Sequence, residues 1–384
     1  MILAIRQFKP DIIINRFDHR TPGSTHGHHT TSAMLSVEAF DLANNPNIYP
    51  EQVKTYGTWQ PKRQFFNTSW WFYGNEENFE KADKSKLLNF DIGVYYPSKG
   101  LSNNEIAALA RSKHLCQGFG SLTSRGTQEE YIELINGDLP KDKTNLFEGI
   151  DTTWNRVKGG KTIGDILENV EANFNFENPS THVKDLLLAR QLIQQLDNEY
   201  WKNYKTQEID AIIEACLGLY LEASASTPTA SPGETITINL EAVNRSPINM
   251  ELVSYHISTD KIATLKALSL KNNDKQNLEQ SLTIPKDMQP SSPYWLNKKG
   301  TLGMYKVEDK NLIGKPETPK PISVTFNLTI NNQPFSVTKP IVYRYSKPDK
   351  GELYRPFEII PEASAKISEK VIIFDTDQQK DISV

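Results

Sequence analysis

Cysteine is almost missing from this chain: Cys116 and Cys216 are the only two in 384 residues. They stand in segments of different character, so a disulfide framework is not supported and two buried free thiols are expected. Long hydrophobic runs are missing as well. The longest are a few residues, against the roughly 20 needed to cross a bilayer, so no membrane span is expected. Charge of one sign is scarce too, because 43 Lys and Arg against 47 Asp and Glu leave a net charge of −4. No basic patch stands out, which argues against nucleic acid as a partner. The opening stretch, Met1 to Pro10, has no basic n-region, no adequate apolar h-region and no small-residue cleavage site. It reads as the end of a helix running into a strand, and the expectation is of a domain that has lost what preceded it.

The length suggests about two or three domains. From Ile12 to about residue 125 strands and helices alternate as in α/β units: Asp11 to Phe17, a helix near Thr31 to Ala43, the aromatic stretch Phe65 to Tyr73, an apolar piece Phe90 to Tyr95, and a helix Asn103 to His114. Ser102 or Asn103 can cap that last helix, and Gly118 and Gly120 stop it. Residues 126–222 turn helical. Three stripes at helical spacing run through Ile163 to Val170, Val183 to Leu196 and Ile209 to Tyr220, and their plain role is packing. Composition shifts at Ala223 to Gly233, rich in Ser, Thr, Ala and Pro, which predicts a domain boundary. Beyond it Thr235 to Val243 and Ile322 to Ile330 alternate with period two, and Asn331-Asn332 reads as a hairpin turn. Residues 223–346 are therefore expected to form an all-β Ig-like sandwich. A second linker is predicted at Ser346 to Gly351, and residues 347–384, with strand-like Lys370 to Phe374, read as the start of a further β module.

Four of the seven histidines fall between positions 19 and 29, in the loop Asp18-His19-Arg20-Thr21-Pro22-Gly23-Ser24-Thr25-His26-Gly27-His28-His29 that follows Ile12-Ile13-Ile14. His26 and His29 are three apart at a loop-to-helix junction, so two neutral imidazoles can face one point, and imidazole is a good zinc ligand. The loop also follows the carboxyl end of a strand expected to be parallel, where open α/β sheets place their ligands. The other reading is a solvated loop whose histidines merely cluster. Asp18 is the only carboxylate in it, and a hydrolytic zinc site usually takes three protein ligands plus water.

The run Pro10 to Phe17 followed by Thr25-His26-Gly27-His28-His29-Thr30-Thr31-Ser32-Ala33 resembles the second metal-site motif of the PIG-L (LmbE-like) zinc-dependent N-deacetylases. Ala110-Arg111-Ser112-Lys113-His114-Leu115-Cys116-Gln117 is similar to a later HxSQ-type element of that family, with Cys116 where Ser is usual. The resemblance covers about the first 125 residues, and helices followed by sandwich modules look like the family's longer bacterial members. It implies an incomplete Rossmann-like α/β core over residues 1–125, a helical extension over 126–222, and Zn2+ as cofactor. It implies that His29 ligates zinc and that His26, beside the metal, stabilises the tetrahedral oxyanion or protonates the leaving amine. His28 stands where many members carry Asp. His114 and Gln117, taken as one helical face, line the pocket by the same resemblance; a histidine capping the helix C-terminus is the other reading of His114.

The family's AHPDDE-type motif, which furnishes another His ligand, an Asp ligand and the Asp base, occurs nowhere in this sequence. Half a site is therefore expected, in a family that deacetylates N-acetyl amino sugars or their conjugates. Arg16, Arg20 and Asn15 at the strand end are placed to hydrogen-bond sugar hydroxyls, though solubility of the loop explains them as well. Trp70, Trp71, Phe72 and Tyr73 could stack on a sugar, but core packing is the preferred reading. The rival functions are a catalytically dead carbohydrate-binding protein and a structural or adhesive multidomain protein. Sugar chemistry and sandwich modules lean towards export.

Overall fold

A computed structural model describes residues 1–259, 262–374 and 376–382, with side chains throughout except at 262–266. The chain divides into two compact units, Met1–Thr152 and Thr153–Val384. It is mixed α/β with a large strand content.

Unit 1 runs α1 (Ile2–Phe8), β1 (Ile12–Asn15), α2 (Gly27–Leu42), α3 (Pro50–Tyr56), β2 (Arg63–Thr68), α4 (Glu76–Lys81), β3 (Leu87–Asp91), the short pair β4 (Tyr95–Tyr96) and β5 (Leu101–Ser102), α5 (Asn103–Arg111) and β6 (Glu129–Gly137). Its main sheet has the order β1-β2-β6-β3. β1 lies parallel to β2. β6 is antiparallel to both β2 and β3, so this sheet is mixed rather than uniformly parallel. Two separate apolar clusters hold the unit: Phe65, Leu88 and Ile132 on the sheet, and Ile5, Ala39 and Ala43 between the first helices.

Beside the apolar cluster of Ile5, Ala39 and Ala43, the packing between α1, α2 and α3 includes a buried polar side chain. Arg6 is fully buried, and its guanidinium donates to the carbonyls of Ala43 (3.0 Å), Asn45 (2.8 Å) and Ile48 (2.8 Å). The Ala43 carbonyl also accepts from Trp59 N and the Asn45 carbonyl from Ile48 N, so Arg6 adds donors to acceptors that cluster where α2 ends. Gln64 does similar work across the sheet, donating to Ser36 Oγ at 2.8 Å and accepting from Asn136 Nδ2 at 2.8 Å.

Unit 2 begins with α6 (Lys161–Ala172), α7 (Val183–Gln194) and α8 (Glu199–Leu217). Strands follow: β7 (Tyr220–Ala225), β8 (Thr229–Ala230), β9 (Thr235–Val243), β10 (Met250–Ile257), β11 (Ile262–Ser269), β12 (Gln276–Thr283), β13 (Ser323–Ile330), β14 (Gln333–Lys347), β15 (Gly351–Pro356) and β16 (Glu358–Ile359). They build an open, curled eight-stranded sheet in the order β11-β10-β13-β14-β7-β9-β12, with β15 on β14 and a small β16-β8 pair apart. β14 pairs with β13 over its first half and with β7 and β15 over its second. The predicted turn is present, with Asn331 and Asn332 both at positive φ (49° and 65°), the conformation a tight hairpin requires.

Several boundaries differ from those read in the sequence, for physical reasons. The helices 161–217 do not form a module of their own. Val170, Leu187, Ile193 and Ile213 share one continuous core with Ile238, Phe326 and Ile341, so the division falls after Thr152. Ala223 to Ala225 is not a linker but part of β7, buried in mid-sheet, where small side chains allow neighbours on both faces. Ser346 to Gly351 is a hairpin between β14 and β15 rather than a domain boundary. Lys370 to Phe374 forms no strand, and Val371 is exposed. α5 stops at Arg111, three residues short of the predicted end, and Cys116 is exposed while Cys216 is buried as expected. No helix among the described residues is long and apolar enough to cross a membrane.

Candidate functional site

The histidine loop leaves β1 at its carboxyl end and returns as α2. Ile12, Ile13 and Ile14 pair with Arg63, Gln64 and Phe65, and the strand ends at Asn15. Gly23 turns the loop at φ 91°, a conformation that costs other residues strain. His26 then occupies the N-cap of α2 without a side-chain capping bond. This places three imidazoles together on the first turn. The ring centres of His26 and His29 are 5.4 Å apart and edge-on, those of His28 and His29 are 4.2 Å apart, and those of His26 and His28 are 5.7 Å apart. Phe17 stacks on His29 at 4.0 Å and fixes its plane. Burial, then the neighbouring His28 and His26, hold His29 below the ordinary imidazole value, which favours the neutral form a metal needs.

Two imidazoles bound to one tetrahedral zinc have ring centres roughly 5 Å apart, given metal–nitrogen bonds of about 2.0–2.1 Å. The His26 and His29 pair meets that spacing. The full donor set does not follow, because no group of three or more His, Cys, Asp or Glu suited to a metal is gathered among the described residues. The loop's carboxylate is committed elsewhere: Asp18 is buried and accepts from Arg20 Nε at 2.8 Å and from Thr21 Oγ1 at 3.3 Å. As they stand, these residues do not make a complete catalytic zinc site.

Arg20 is the hub of the strand-end polar cluster. Besides Asp18 it forms a two-pronged pair with Glu133 on β6 (2.8 and 2.7 Å), and its guanidinium lies 6.0 Å from the Phe66 ring. The hydrogen bonding of its guanidinium to the Glu133 carboxylate is the largest cause raising its pKa further above an already high value. Arg16 donates to Asn67 Oδ1 at 2.8 Å, and Asn67 Nδ2 donates to Glu130 at 2.8 Å. Both arginines expected to meet a sugar are thus engaged within the protein. Two polar atoms at this strand end lack a hydrogen bond: Asn15 Nδ2 and His19 Nδ1 are buried without one, the latter 3.6 Å from Asp18 Oδ1. A buried donor left unmade costs about 1–3 kcal/mol, and such atoms cluster where a ligand or water completes them.

The aromatic stretch after β2 forms a single turn of 3-10 helix, Trp70–Tyr73. The preferred core reading fails for its first two residues, since Trp70 is 47% and Trp71 51% exposed. Its first two rings face solvent and its last two turn towards the protein, Phe72 packing on Phe66 at 4.8 Å. Tyr73 is half-buried, and burial, then the Glu133 carboxylate, raise its hydroxyl pKa.

His114 and Gln117 do not share a helical face. His114 Nδ1 lies 3.1 Å from the Arg111 carbonyl at the end of α5, its ring sits 6.0 Å from Phe119, and Gln117 ends a short 3-10 turn, exposed. No contact joins either to the histidine loop. Sequence reasoning missed Glu133 and Asn67; the alternation of Glu129 to Leu134 marks a strand and was the available signal.

Comparison with protein-family models and with curated proteins gives no match. Among solved structures the chain is similar to an alkylpurine DNA glycosylase from Pseudomonas fluorescens bound to DNA containing an abasic site analogue (15% identity over 46% of this chain and 50% of that one, TM-score 0.17). It is also similar to the CARDB domain of a Pyrococcus furiosus protein in complex with di-metal ions (8% identity, 37% of this chain, 89% of that one, TM-score 0.17). A β-glucosidase from Listeria innocua in complex with glucose is a third (9% identity, 32% of this chain, 16% of that one, TM-score 0.15). The chain spans half the length of the glycosylase. At these TM-scores none of the likenesses bears on the fold or on the site.

Proposed function

We propose that residues 1–125 are part of a PIG-L-type unit of the N-deacetylase class, contributing His29 as a Zn2+ ligand and His26 as the group that meets the oxyanion or the departing amine. The substrate class is an N-acetyl amino sugar or its conjugate. The observation that carries this reading is the pairing of His26 and His29, edge-on at 5.4 Å, on the first turn of a helix that follows the carboxyl end of a parallel strand. With Asp18 held by Arg20 and no AHPDDE-type segment in the sequence, this chain offers no general base, so catalysis is incomplete and zinc is held weakly. In this reading the sheet of unit 2 is an Ig-like sandwich, supported by the passage of β14 from β13 to β7 and β15 and by the strict alternation of buried residues along β13.

The test is zinc titration of the chain by calorimetry, beside the His29→Ala and His26→Ala variants. The expected result is weak binding of one zinc that His29→Ala abolishes, with acetate release from N-acetylglucosamine conjugates at background. Absence of zinc binding, or binding that His29→Ala leaves unchanged, overturns the metal role. A second reading, a non-catalytic carbohydrate-binding unit, is favoured by the exposure of Trp70 and Trp71 beside the same strand end.

A further inference from the structure

A cleft in unit 2, about 880 Å3 in volume, lies between three segments: 289–298, 316–321 and 356–358. That volume is within the range of small-molecule sites, about 300–1,000 Å3. Its walls are unusually stiff. Pro290, Pro293, Pro316, Pro319, Pro321 and Pro356 all line it, and each proline fixes its own φ. The segments are pinned to one another: Tyr294 N donates to Thr318 Oγ1 (2.9 Å), Thr318 Oγ1 donates to the Ser292 carbonyl (3.2 Å), and Ser291 N donates to the Ile359 carbonyl (2.8 Å). A cleft that is ordered beforehand loses little entropy when it is filled.

The lining specifies the occupant. Two aromatic side chains line it, Trp295 and Phe357; Phe357 is only 1% exposed, so the ring open to a ligand is Trp295, set edge-on to Tyr294 at 4.9 Å. Around it stand the amides of Gln289 and Asn297, which both donate and accept, and charges that balance: Lys298 and Lys320 against Glu317 and Glu358. Lys320 and Glu317 already neutralise one another at 2.8 Å. A charged ligand finds no net field here. A ligand with an apolar face and many hydroxyls finds a ring to stack on and partners of both polarities. Recognition of a polyproline helix calls for several exposed aromatic side chains to grip successive prolines, whereas here Phe357 is buried, Trp295 alone is open, and the cleft is itself walled by proline.

We propose that this cleft is a binding site for an uncharged oligosaccharide, stacked on Trp295 and held by Gln289, Asn297 and the flanking Lys and Glu groups. The site lies wholly within unit 2, so it stands independently of the metal reading of residues 1–125.

The experiment is calorimetric titration of the full chain with cellopentaose, maltopentaose, xylopentaose and N-acetylchitopentaose, beside pentagalacturonate and a proline decapeptide. At least one uncharged sugar is expected to bind. Trp295→Ala should weaken it about tenfold or more. Asn297→Ala, at an exposed position that the fold does not use, should weaken it several-fold with the melting temperature unchanged. Trp70→Ala and Trp71→Ala in unit 1 should leave that binding as it was. Four results overturn the proposal: no uncharged sugar binding at millimolar concentration, binding indifferent to both Trp295→Ala and Asn297→Ala, binding lost instead in the Trp70 or Trp71 variants, or preference for the charged sugar or the peptide.

Discussion

The two units are built on different principles. Unit 2 is held by one apolar core running from the helices 161–217 through the sheet, with Ile213, Val324 and Phe326 wholly buried. Unit 1 has two small clusters, and much of its interior is polar: Arg6, Gln64, Thr68 and Arg63 are buried to the same degree as its best apolar residues. Apolar burial is non-directional and tolerant of small shifts, whereas buried polar groups impose geometry because each unmade bond costs free energy. The histidine loop sits in the unit where geometry is set by hydrogen bonds. A site whose imidazoles must keep a fixed spacing is better served by that kind of interior than by packing alone.

Breaking each unit at its own kind of support sharpens the contrast. Arg6→Ala strips the guanidinium from the Ala43, Asn45 and Ile48 carbonyls and empties the volume of a fully buried side chain, so unit 1 should lose about 3–5 kcal/mol. Hydrogen exchange is the measurement: amides of 27–56 should lose protection while those of 183–217 keep theirs. Protection lost equally in both units would show that the chain unfolds as one body. Leu187→Ala, at a position 1% exposed in the core of unit 2, should cost about 2–5 kcal/mol, read as a lowered melting transition for unit 2.

How much of this was legible in the sequence follows the same divide. The period-two pattern of Ser323 to Ile330 and the stripes over 161–217 were readable because burial leaves a periodic mark. β7 was hidden because Ala223, Ser224 and Ala225 are small for the sake of close neighbours on both faces, and small polar residues look like a linker. In unit 1 the histidine junction stood out by composition, and the i, i+3 placement of His26 and His29 is visible in the sequence itself. The commitments of Arg16 and Arg20 were not, since the bond to Asn67 spans 51 positions and the pair with Glu133 spans 113, and neither leaves a local signature. Nor could pattern tell that the 3-10 turn after β2 would expose Trp70 and Trp71.

A smaller effect probes the start of α5. Ser102 and Glu105 form a reciprocal capping box, with Ser102 N donating to Glu105 at 2.9 Å. Ser102→Ala should cost unit 1 about 1 kcal/mol by denaturant titration. The bond from the Ser102 backbone, first, and its hydroxyl hold the Glu105 carboxyl below the ordinary range. A carboxyl depressed in the folded state stabilises above its unfolded value and loses that contribution as pH falls through the lower folded one. The Ser102→Ala penalty should therefore shrink in strongly acidic solution; a penalty constant down to that range would separate the cap from the Glu105 charge.

The smallest effect tests whether the Arg20 hub is electrostatic. Arg20 is 48% exposed on its side chain and Glu133 16%, so their pair is screened, and Glu133→Gln should cost only about 0.5–1 kcal/mol. Its sharper readout is Tyr73. Burial is the larger reason that this hydroxyl titrates late, and the Glu133 charge is the next. Removing the charge while keeping the shape should let Tyr73 ionise at lower pH, followed by the ring-carbon NMR shift, without restoring the ordinary value because burial persists. Arg20 would still hold Asp18 through Nε, so the loop should keep its course and His29 its stacking on Phe17. An unchanged Tyr73 titration would mean that the Glu133 carboxylate is neutralised by Arg20 so fully that it sets no field at the strand end.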